Sequence, residues 1–145
     1  MIDPTRSGEP RLVQTFAIRL GQNPDSKFVS VVADELWVNI SGALEPIFGA
    51  GGVSALFSRS VFLSARLLPK LEAVPDTMHL SHQLDALRDC LSALDGDDAT
   101  RVAMALVREF HGVLTSMVGT ALTNQLLEPV LDPSTTETFP TSALR

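Results

Sequence analysis

Leu80-Ser81-His82-Gln83-Leu84-Asp85-Ala86-Leu87-Arg88-Asp89-Cys90-Leu91-Ser92-Ala93-Leu94 is the most regular stretch of the chain. Its leucines at 80, 84, 87, 91 and 94 recur at alternating steps of four and three residues. Such steps place side chains on one face of an α-helix, the seam expected where a helix lies lengthwise on a partner. Asp95-Gly96 stops this helix and Asp97-Asp98 starts the next, because aspartates cap free amides and complement the positive end of the helix dipole.

Beyond that boundary Val102, Leu106, Phe110, Val113, Met117, Ala121 and Leu122 keep helical spacing as far as Pro129, which predicts the longest helix of the chain. Within it, residues 110–127 carry no Lys, Arg, Asp or Glu, a length that invites comparison with a membrane span. His111, Thr115, Ser116, Thr120, Thr123, Asn124 and Gln125 would each need a hydrogen-bond partner in hydrocarbon, so the segment reads as a buried bundle helix.

On the other side, Val74-Pro75-Asp76-Thr77 is a connector, with Asp76 or Thr77 placed to cap the leucine-rich helix. The preceding helix runs from about Val53 to Leu68, with Val53, Phe57, Val61 and Leu68 apolar, Ser60 and Ser64 on a neighbouring strip, and Pro69 at its end. Gly49-Ala50-Gly51-Gly52 supplies a turn before it. The first strong helix opens near Asn23-Pro24 and shows Val29, Val32, Leu36, Ile40, Leu44 and Ile47 on one face, with Pro46 kinking or ending it near Glu45. No two-residue alternation competes, so the chain reads as an all-α bundle of about four main helices, the last longest. Residues 1–22 form a flexible arm or short helix, 23–131 the bundle domain and 132–145 a disordered tail.

A chain of 145 residues with 45% hydrophobic and 19% charged residues has a globular composition and the size of one domain. Its net charge of −6 disfavours a sequence-independent grip on nucleic acid, and Arg59, Arg66 and Lys70 are too few to track phosphates. Cys90 stands alone, so neither an intramolecular disulfide nor a zinc cluster is expected, and a reducing, cytoplasmic setting fits. Met1-Ile2-Asp3-Pro4 lacks the basic start and apolar run of a signal peptide.

Chemistry-bearing residues are sparse. Gly49, Gly51 and Gly52 ahead of a helix, with Arg59 further on, are a candidate anion loop, although no strand precedes them and the Gly-Lys-Ser/Thr of a P-loop is replaced by Gly52-Val53-Ser54. A helix-terminating hinge is the plainer reading. His111 on a long helix is a candidate phospho-acceptor, but His111-Gly112-Val113-Leu114-Thr115 lacks the Lys-Gly pair and the leucine position usual in histidine-phosphotransfer domains. His79, His82 and Asp85 recur at three-residue steps, yet His82 lies opposite the leucine seam, where a solvated histidine needs no metal. Cys90 has no base that the sequence places beside it, and no Gly-x-Ser-x-Gly elbow occurs. Trp37, Phe57 and Phe110 are candidates to line an apolar cavity between helices. Gly112, Ser116, Gly119 and Thr123 recur at steps of four, three and four, a small-residue face suited to close packing against a neighbouring helix or a second protomer.

Residues 47–60, Ile47-Phe48-Gly49-Ala50-Gly51-Gly52-Val53-Ser54-Ala55-Leu56-Phe57-Ser58-Arg59-Ser60, taken with Val118-Gly119-Thr120-Ala121-Leu122-Thr123-Asn124-Gln125-Leu126-Leu127, resemble a group of small, uncharacterised bacterial helical proteins, some of them signalling-associated. The resemblance spans about residues 23–130, supplies no catalytic residue and implies at most a link to bacterial signal transduction. The reading that results is a non-enzymatic helical interaction or regulatory module, a homodimer without cofactor, metal, nucleic acid or membrane. The alternatives are histidine phosphotransfer through His111 and a small-molecule sensor with an apolar cavity.

Overall fold

The computed structural model describes residues 10–66, 68–74 and 79–131, and among these every regular element is helical. Five α-helices follow one another: α1 (Arg11–Leu20), α2 (Ser26–Ala65), α3 (Leu80–Ser92), α4 (Gly96–Val118) and α5 (Thr120–Leu131). A 3-10 helix, Pro69–Ala73, lies between α2 and α3. α2 is the axis of the molecule and packs against each of the other elements, most extensively against α4.

Local chemistry sets the helix starts. The Asp25 carboxylate accepts a 2.8 Å hydrogen bond from the Phe28 amide, and Asp95 does the same for Asp98 at 2.8 Å. Each satisfies one of the amides that a helix N-terminus leaves without a partner. α4 therefore begins one residue before Asp97, since Asp95 is its cap and Gly96 its first residue. Glycine is required at that first position: a Cβ on Gly96 would collide with the carbonyl oxygen of Pro24, so the starts of α2 and α4 meet there. The proposed caps Asp76 and Thr77, and the terminal segments 1–9 and 132–145, lie outside the described residues.

Two expectations about helix count and length are corrected, and glycine accounts for both. The helices expected on either side of Gly49–Gly52 form a single run of 40 residues, bent at Gly49 (φ 77°, ψ 163°). Pro46 lies inside this run. The amide it lacks would have bonded the carbonyl of Gly42, and both residues are exposed, so the freed carbonyl faces water. The helix expected to be last and longest is instead divided at Gly119 (φ 88°, ψ 161°) into α4 and α5, while Pro129 sits within α5. The longest helix is thus α2, and the α-helices number five among the described residues. Both breaks use a backbone conformation that is almost confined to glycine.

These breaks also shift the phase of the apolar stripes. Val29, Val32, Leu36, Ile40 and Leu44 are buried, but Ile47, next to the first bend, is exposed. Val102, Leu106 and Phe110 are buried, whereas Met117 and Leu122, which flank the second bend, are exposed and Thr123 takes the inward position instead. The seam of α3 keeps its register, with Leu84, Leu87 and Leu91 in the core.

Candidate functional site

The aromatic residues expected to line a cavity fill the space themselves. Trp37, Phe57 and Phe110 are each at most 2% exposed, and the indole meets both phenyl rings edge to face, at centroid distances of 4.9 and 5.0 Å. Rings packed in that geometry hold each other through quadrupole attraction in addition to burial. The trio joins both halves of α2 to α4 and is core.

The small-residue face is not continuous. Gly112 and Ser116 are exposed on α4, and the Ser116 hydroxyl donates back to the Val113 carbonyl at 2.8 Å. Gly119 is the break itself, and Thr123 lies beyond it on α5, fully buried, with no partner for its Oγ1 among the described residues. The four positions are thus an exposed pair, a hinge and an inward side chain. The candidate anion loop is corrected in the same way, because Gly51 and Gly52 are helical residues of α2 rather than a loop. Arg59 lies two turns further along the helix, where its guanidinium stands 5.9 Å from the Phe62 ring centroid.

His111 is half-buried, and burial pushes the pKa of its imidazole below the ordinary 6.5. Its Nδ1 lies 3.4 Å from Thr115 Oγ1, one turn on. The ring is thus partly covered, with Thr115 beside its Nδ1. His79 and His82 are both exposed, with ring centroids 5.2 Å apart, and no group of three His, Cys, Asp or Glu side chains among the described residues is arranged to hold a metal. Cys90 is partly buried on α3.

A groove that none of these candidates includes lies where the end of α2 meets the 3-10 helix. It has a volume of about 360 Å³ and is lined from α2 by Ser58, Val61, Phe62, Ala65 and Arg66, and from the 3-10 segment by Leu71, Glu72 and Val74. A polar clasp braces its inner end. Gln83 on α3 is fully buried; its Oε1 accepts from Ser54 Oγ at 2.9 Å and its Nε2 donates to Ser58 Oγ at 2.6 Å. A buried amide is tolerated when both its ends are bonded, and the two serines one turn apart on α2 supply those bonds. Arg88 adds a surface link between the same helices, with Nη1 3.1 Å from Asp34 and Nη2 2.6 Å from Asp85.

The sequence held a signal for the clasp that spacing alone left unread. Gln83 lies three residues after Leu80 and four before Leu87, on the seam itself, so a polar side chain there had to be bonded in the core. The groove has a weaker signature, Ser58, Phe62 and Arg66 at successive turns of one face. Its opposite wall depends on the turn that follows Leu68.

Against family models, curated proteins and solved structures, the chain finds no match in any of the three comparisons. The functional reading therefore rests on its own residues.

Proposed function

We propose that the chain is a non-enzymatic helical interaction module that docks a second copy of itself along the outer face of the first half of α2. The observation that carries this is an exposed apolar stripe. Phe28, Val31 and Val38 are 46%, 49% and 53% exposed, although they belong to the helix that forms the axis of the fold. Their spacing puts them on one face, and Gly42, one turn further on, has open space where a side chain would stand. Clustered apolar side chains on a surface mark contact sites.

The stripe is self-complementary when a second copy runs antiparallel. An antiparallel register that sets Phe28 of one copy against Val38 of the other places Val31 opposite Glu35 and Lys27 opposite Asn39, so the apolar stripes of the two copies overlap along their length. Three apolar side chains per copy fall short of the roughly 800 Å² per partner of a standard interface, so the dimer is weak and depends on concentration. α2 is also the one described helix long and apolar enough, by length and composition, to cross a membrane; 39% of its most apolar window is buried inside the fold. A regulatory role in bacterial signalling, in a reducing cytoplasm, is the setting proposed from the sequence resemblance and the lone cysteine.

Sedimentation equilibrium over a wide concentration range tests the proposal. The expected result is a reversible monomer–dimer equilibrium that the double substitution Val31→Glu, Val38→Glu abolishes and Gly112→Leu leaves unchanged. A strict monomer at the highest concentration reached overturns it, and loss of the dimer on Gly112→Leu alone would move the contact to α4.

A further inference from the structure

The groove between α2 and the 3-10 helix has unused hydrogen-bonding capacity, and from it we infer a second property, independent of self-association. We propose that this groove binds a small monocarboxylate with an apolar tail. Its volume of about 360 Å³ lies within the range of small-molecule sites, roughly 300–1,000 Å³. The floor is apolar, with Val61, Leu71 and Val74 all buried, and Phe62, 61% exposed, stands as a wall beside them.

Two donor side chains line this groove, Ser58 and Arg66. The Ser58 oxygen already accepts the Gln83 amide, so its own O–H is available to donate, and no acceptor for it occurs among the described residues. The Arg66 guanidinium, in the capping position at the end of α2, has no ion pair among the described residues. A guanidinium fork at the edge of a largely apolar groove suits a carboxylate whose chain lies in the groove. The end of a helix carries partial negative charge, so an anion held there depends on Arg66 to offset it. Glu72 on the facing wall, together with the net charge of −6, selects against a second negative charge on the ligand.

Titration of the isotope-labelled full chain with sodium octanoate, followed by amide chemical shifts, tests the inference. Saturable shifts centred on Ser58, Phe62, Arg66 and Leu71 are expected, with octanol and octanedioate at least tenfold weaker. Arg66→Gln, an exposed substitution at a helix end, is expected to retain the fold by circular dichroism and to weaken octanoate about tenfold. Ala65→Phe, which fills the groove, should remove the shifts at Ser58. The inference is overturned by an absence of saturable shifts, by shifts centred on Phe28, Val31 and Val38, or by equal affinity for octanol or in the Arg66→Gln protein. None of these results bears on whether the chain dimerises.

Discussion

Gln83 shows how much one side chain can organise. Replacing it with leucine would leave the Ser54 hydroxyl buried and deprived of the partner it now has in Oε1. Loss of a hydrogen bond between buried groups costs about 0.5–1.5 kcal/mol. Gln83→Leu should therefore lower the unfolding free energy obtained from urea denaturation by that order, and adding Ser54→Ala should recover part of the loss, a non-additivity that a double-mutant cycle measures. His111 makes a second prediction at this scale. Its pKa is depressed in the folded state, so between that value and the ordinary 6.5 the unfolded chain binds more protons than the native one. Stability from this group is present above 6.5 and is lost as the pH falls through that window, levelling off below the folded pKa. Urea denaturation at a series of pH values should show this slope in the natural protein and a flatter profile in His111→Gln; a slope of the opposite sign would contradict it.

At the scale of the element, the glycines divide into those that bend helices and those that do not. Gly119 has φ 88° and ψ 161°, where a Cβ brings strain of about 1–3 kcal/mol, so Gly119→Ala should destabilise the protein by that order. Gly112 lies inside α4 with open space around it, and Gly112→Ala should stabilise by roughly 0.5–1 kcal/mol. Thermal melts of the two variants should move in opposite directions. This division also explains what the sequence could reveal. The leucines of α3 and the stripe Val29 to Leu44 announce their helices because periodicity is a local property. Pro46 looked like the break because proline is the stronger helix breaker by propensity, yet exposure lets its freed carbonyl reach water, and the bend falls at Gly49. At Gly119 the apolar spacing passes straight through the bend, so nothing in the period marks it. The backbone angles of Gly119 and the altered burial of Met117 and Thr123 disclose that the helix has turned.

Across the whole molecule, legibility falls as distance along the chain grows. That the chain is all-helical follows from spacing; that α2 is the axis follows from contacts between residues far apart, which no local pattern contains. The candidate sites show the same limit. The apolar character of Trp37, Phe57 and Phe110 does not decide whether they surround a space or fill it, because that depends on ring orientation. The groove, with walls from two elements, was invisible until the turn after Leu68 was in place. The central trio has a practical consequence. The protein has one tryptophan and no tyrosine, so its absorption and emission near 280–350 nm, on the order of the usual indole bands, come from a single point at the junction of α2 and α4. Trp37 is a built-in optical gauge: straightening at Gly49 would separate it from Phe57, and drift of α4 would separate it from Phe110. One unlabelled molecule can thus report, by the colour and asymmetry of its own light, on which of its joints has moved.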